Sequence, residues 1–107
     1  RFSASHANQF IHATPFKNLS IIPASPKLEF LLTRLENRQK IYKLRRLLDR
    51  LGPFDNVFID TPPAMNFFTQ SALIASETCL IPFDCDLFSR NAIYHLFRGV
   101  AALKERY

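Results

Sequence analysis

Three β-favouring residues in a row, Val57-Phe58-Ile59, run into a carboxylate and a pair of prolines, Asp60-Thr61-Pro62-Pro63. An apolar run without polar alternation is expected in a strand that is covered on both faces. Proline has no backbone N–H, so the segment continues neither as a ladder strand nor as a helix. The pattern therefore predicts a buried central strand over 57–59, with Asp60 at its C-terminal edge.

Two more runs have the same form. Leu19-Ser20-Ile21-Ile22 is stopped by Pro23, and Thr78-Cys79-Leu80-Ile81 by Pro82. Both read as buried strands. Helical stripes lie between and after them. Ser25 as N-cap and Pro26 at the first helical position open one helix, with Leu28, Leu31, Leu32 and Leu35 as its stripe. The stripe fails over residues 36–40. In the next helix Ile41, Leu44, Leu48 and Leu51 share a face that is expected to meet the sheet, while Lys43, Arg46 and Arg50 fall opposite. Gly52-Pro53 ends it. A third helix is predicted from about Phe67 to Ala75. The last is capped by Ser89 and striped by Ile93, Leu96, Phe97, Val100 and Leu103. Residues 1–18 show no period and read as an irregular N-terminal stretch.

The order is β-α-α-β-α-β-α. Strands alternating with helices predict an α/β fold: a three-layer sandwich with a mostly parallel sheet. Right-handed crossovers would bring the strands' C-terminal ends to one edge, where ligands bind in such folds. The 107 residues are enough for one small domain at most. The two glycines, Gly52 and Gly99, do not sit in a phosphate-cradling loop. The first residue, Arg1, is expected of a chain that begins inside a longer protein. A cloning or processing boundary is the alternative.

Composition narrows the chemistry. No apolar run reaches the roughly 18–20 residues that span a bilayer. Cys79 and Cys85 match no zinc spacing and read as reduced thiols. His6, His12 and His95 do not form a metal pattern. The net charge of +5 is unevenly placed. Arg34, Arg38, Lys40, Lys43, Arg45, Arg46 and Arg50 face only Glu36 and Asp49 in the same stretch. Such a segment attracts phosphate backbones. It is also what a solvated helix face looks like, and no interleaved aromatic residues are there to stack bases.

A carboxylate at a strand end can hold Mg²⁺ directly or through water and so organise a nucleotide's phosphates. It can equally cap the next helix or face solvent. Thr61-Pro62-Pro63 adds a hydroxyl and a stiff loop beside it. Here the residues reach a known pattern. The segment from Phe54 to Pro63 resembles the Walker-B strand and switch segment of the ParA/MinD group of ATPases, an aromatic-Asp pair, an apolar strand and Asp-x-Pro-Pro. Ser71 to Glu77 resembles the group's NAL-x-A-A-D helix end. Leu80 to Ser89 resembles the ParA segment LIP-x-x-C-E/D-x-F-[AS], and Leu19 to Ser25 is similar to the L-x-x-I/L-P-A/S strand end. The matches run from Leu19 to Lys104.

The resemblance implies a P-loop NTPase-like partial domain of a ParA-type ATPase serving chromosome or plasmid partition. ATP and Mg²⁺ would be its cofactors. Its partners would be a ParB-type protein and non-specific DNA. It would form an ATP-dependent homodimer in the cytoplasm on the nucleoid, with no membrane contact. By the same resemblance Asp60 would be the Mg²⁺-site and catalytic carboxylate. Thr61, Pro62 and Pro63 would sense the γ-phosphate. Asp84 and Asp86 would line the same edge or, alternatively, lie in a solvated loop with Asp86 near a helix N-terminus. Cys85 matches a family position and reads as a small buried filler. The family's Gly-rich loop with two lysines is absent, as is its early acidic motif. The complete protein is therefore expected to hydrolyse ATP and these residues alone are not. A non-catalytic α/β binding or interaction module is the competing reading. A phospho-receiver with Asp60 as acceptor lacks its acidic pair and its later strand-end lysine.

Overall fold

The computed structural model describes residues 8–26, 40–82 and 84–107. Two short strands and three helices are formed there. Strand β1, His12–Ala13, pairs antiparallel with β2, Ser20–Ile21, in the register His12 to Ile21 and Ala13 to Ser20. Thr14 closes the hairpin. Its hydroxyl accepts from the Phe16 N–H at 3.2 Å and donates to the Leu19 carbonyl at 2.7 Å. Asn18 turns the chain at φ 61°, a left-handed conformation that asparagine visits more readily than most residues. The stretch up to residue 18, expected to be irregular, thus supplies one strand of this pair. Of the run at 19–22, expected to be a buried strand, only Ser20–Ile21 form one, antiparallel and exposed.

Helix α1, Lys43–Leu48, is only six residues long. A helix this short does not hold itself, so packing must supply its stability. Ile41, just before it, is buried to 2% exposure. Leu44, Leu47 and Leu48 are half-buried, while Lys43, Arg46 and Arg50 are exposed. The expected two-faced pattern is therefore present. The partner differs from expectation, because α1 packs on helix α2, Phe67–Ala75, rather than on a sheet. Arg45 and Arg46 occupy its last turn, where positive charge suits the helix dipole. Past Leu48 the chain tightens into two further turns, with Arg50 N–H on the Leu47 carbonyl and Leu51 N–H on that of Leu48. Gly52-Pro53 follows, as predicted.

Helix α2 has the predicted bounds. Asn66 caps it: Oδ1 accepts from the Phe68 N–H at 3.0 Å and the Thr69 N–H at 3.2 Å. Two of the four donors orphaned at a helix start are satisfied this way. Helix α3, Leu87–Arg106, starts two residues before the predicted cap at Ser89. The Arg90 N–H already bonds the Asp86 carbonyl. Ile93, Leu96, Val100 and Leu103 are half-buried, but Phe97 is 60% exposed. Tyr107 meets Tyr42 edge-on at 6.0 Å. Gly99 lets α3 approach Met65: a Cβ there would stand 2.7 Å from the Met65 methyl carbon.

The expected central strand is the main correction. Residues 57–59 form no strand, and no neighbouring strand pairs with them among the described residues. Val57 is 52% exposed and Phe58 88%. Residues 78–81 likewise form no strand, and Leu80 is 86% exposed. The physical reason is that a parallel strand takes its hydrogen bonds from neighbours, and neither run has one among the described residues. The sheet of the described residues is the two-stranded hairpin, and the three-layer sandwich is not formed among them. The helix predicted after Pro26 falls on residues outside the described set.

Candidate functional site

Asp60 follows half-buried Ile59 at the end of the apolar run and is itself exposed, as are Thr61, Pro62 and Pro63. The loop is short-wired to the helix after it. The Ala64 N–H bonds the Pro62 carbonyl at 2.8 Å, a two-residue turn. Buried Thr69 donates its hydroxyl to the Ala64 carbonyl at 2.6 Å. Gln70 reaches the Met65 carbonyl at 3.4 Å. Two prolines restrict φ, and α2 pins the chain immediately after them. The candidate switch segment therefore rests on the capped N-terminus of α2.

A cavity of about 740 Å³ opens beside this loop. Asp60, Thr61 and Pro62 form one side, and Ala24, Ser25 and Pro26 contribute another. Lys40 and Lys43 stand on its wall, with Leu44, Phe67, Phe68 and Ala72 making the surface mostly apolar. Its size lies within the range of about 300–1,000 Å³ usual for small-molecule sites. Ser71, on the same wall, is 5% exposed and its hydroxyl has no hydrogen-bond partner.

The structure thus brings together Asp60, Thr61 and Pro62, while Pro63 lies outside the cavity lining. Asp84 and Asp86 are exposed and do not line it. Asp86 instead precedes α3, where a carboxylate complements the helix dipole. Cys85, expected to be a buried filler, is exposed, as is Cys79, and both are free thiols. The reason is the missing strand: with residues 78–81 uncovered, the loop after them has nothing to pack beneath. Lys40 and Lys43 were read from the sequence as part of a solvated basic segment. Their charge was the signal the sequence offered, since Lys40 precedes α1 and only Lys43 belongs to it.

Among the described residues no three His, Cys, Asp or Glu side chains group to hold a metal. A single carboxylate does suit Mg²⁺, which keeps several waters and binds through one or two carboxylates plus phosphate, while the lysines suit the phosphates rather than the metal. The donor set therefore fits a magnesium–nucleotide complex on its metal side. The amide cradle for the phosphates is not among the described residues.

The comparisons define the class. The family model described as "AAA domain" matches residues 2–107. The chain belongs to this AAA-domain family. Within it, the resemblance to ParA-type partition ATPases is borne out by relatives. A "Chromosome partitioning protein ParA" of Myxococcus xanthus is 30% identical over 101 residues, 91% of this chain and 35% of that protein. The "Chromosome-partitioning ATPase Soj" of Treponema pallidum is 30% identical over 103 residues, 94% of this chain and 41% of its own. The "Sporulation initiation inhibitor protein Soj" of Bacillus subtilis is 30% identical over 99 residues, covering 89% and 38%. The chain spans between a third and two fifths of the length of these relatives. No solved structure matches it. No helix among the described residues is long and apolar enough to cross a membrane.

Proposed function

We propose that these residues supply the Mg²⁺-binding edge and the switch loop of a ParA-type ATPase that works in chromosome or plasmid partition. In this reading the phosphate-cradling loop belongs to residues outside this sequence, and the complete domain is a three-layer P-loop NTPase sandwich. Its strand at 57–59 gains the neighbours it lacks here. The observation that carries the reading is the opening of Asp60 and Thr61 onto one cavity with two lysines, in a chain similar to proteins named for partition.

Asp60 would hold the metal mainly through water, and Thr61 would offer its hydroxyl to the phosphates. Mg²⁺, when bound, would supply positive charge that offsets the charge developing on the phosphates. The proline pair keeps the loop near one conformation, and Thr69 and Asn66 fix the chain behind it. A change at the phosphates therefore passes to α2 with little slack. The protein acts in the cytoplasm on the nucleoid, as an ATP-dependent dimer with a ParB-type partner and non-specific DNA.

The test is a Mg²⁺ titration of ATP hydrolysis by the full-length protein and its Asp60→Asn variant. The reading expects the apparent Mg²⁺ requirement to rise by tenfold or more in the variant. An unchanged requirement would reduce Asp60 to a loop residue. A non-catalytic interaction module is the second reading, favoured by the absence of a Gly-rich loop from this sequence. A full-length protein without ATP hydrolysis supports it. Micromolar ATP binding by these residues alone would place the nucleotide grip inside them, against both readings.

A further inference from the structure

We propose that Lys43 is the phosphate-facing cation of the Asp60 cavity, meeting the nucleotide's phosphates across the space from the carboxylate. The inference rests on the ATPase reading above and assigns it a second charged group. Lys43 and Asp60 line the same cavity of about 740 Å³. Among the described residues neither side chain has a hydrogen-bond or ion-pair partner. Opposite charges that share a cavity without pairing leave room for a ligand between them. A magnesium–nucleotide complex suits that arrangement. Its metal faces a carboxylate, and its phosphates stay net negative and need a cation on the other side.

The walls strengthen the effect. Leu44, Phe67, Phe68 and Ala72 are apolar lining, and charges interact more strongly beside a surface of low dielectric than in open water. The position of Lys43 is also fixed. Its backbone N–H bonds the Lys40 carbonyl at 3.0 Å, and Ile41 between them is buried. A lysine ammonium is a compact point charge that binds phosphate without demanding a bidentate geometry. The exposed Arg45 and Arg46 do not line the cavity. Among the described basic residues of the segment Lys40 and Lys43 line the site, so charge at this place serves nucleotide rather than solvent.

The experiment uses the full-length protein with Lys43→Gln, Lys43→Arg and, in parallel, Asp60→Ala. MgATP affinity is measured by calorimetry across ionic strength, hydrolysis at steady state, and folding by thermal melts. Lys43→Gln should weaken MgATP binding by tenfold or more and flatten its dependence on salt. Lys43→Arg should restore most of the affinity, which a packing role would not predict. Wild-type affinity in Lys43→Gln, beside lost turnover in Asp60→Ala, overturns the proposal and leaves the ATPase reading intact. Equal losses in Gln and Arg variants with lowered melting overturn it in favour of a structural lysine. Wild-type turnover in Asp60→Ala removes the reading itself, and the proposal with it.

Discussion

Removing the cap of α2 should loosen the candidate switch loop from behind, and Asn66→Ala is the clean perturbation. Asn66 Oδ1 takes both the Phe68 and the Thr69 N–H, at 3.0 and 3.2 Å. Replacing an asparagine N-cap by alanine costs about 0.5–2 kcal/mol, typically ~1. The site is half-buried, so water replaces the lost acceptor only in part, and ~1 kcal/mol or slightly more is expected. Read as local opening, ~1 kcal/mol corresponds to a loss of about fivefold in amide protection. Hydrogen exchange of the Phe68 and Thr69 amides is the assay. Asn66→Asp keeps the acceptor and places a negative charge at the positive end of the helix, so its protection should equal or exceed that of the wild type. Equal protection in wild type and Asn66→Ala would refute the cap. Equal loss in Ala and Asp variants would show that the asparagine acts through something other than its oxygen.

Three further outcomes follow from the packing and the charge. Ile41→Ala removes the most buried large side chain described, at 2% exposure, and should cost about 2–5 kcal/mol. A value near the lower end is expected, because its half-buried neighbours can close in, and urea denaturation reads it. Reversing the charge of Arg46 and Arg50 together should leave the salt slope of DNA binding by the full-length protein unchanged, since both lie on a solvated face. A slope smaller by about two would place both side chains on phosphates. In these residues alone Cys79 and Cys85 should both react at once with a thiol reagent, because both are exposed. Protection of either would mean that the segment around 78–85 is covered.

Helices were more legible than strands for a physical reason. The α2 segment satisfies its own hydrogen bonds from Phe67 to Ala75 and carries its cap at Asn66, so its bounds follow from residues within one window. The phase of Ile41, Leu44 and Lys43 was equally local, and burial follows it. Val57-Phe58-Ile59 is different. Its apolar run states that it needs cover on two faces but cannot provide it, and in this structure it forms no strand and leaves Val57 and Phe58 exposed. The hairpin at 12–21 was missed as a hairpin because the Thr14 hydroxyl, not a glycine turn, closes it. At the site, Asp60, Thr61 and Pro62 were legible from their order along the chain, and they do line a cavity. The lysines were legible only as charge. Their place on that cavity depends on α1 packing against α2, which no single window of sequence contains.

The central claim is that Asp60 serves nucleotide hydrolysis, and steady-state turnover of the full-length Asp60→Ala variant at saturating MgATP tests it most directly. Phosphoryl transfer depends mainly on positioning and charge stabilisation, so losing the metal-side carboxylate should lower turnover by orders of magnitude. Nucleotide affinity should fall much less, because the phosphate cradle remains. Hydrolysis at the wild-type rate by a folded Asp60→Ala protein would contradict the account.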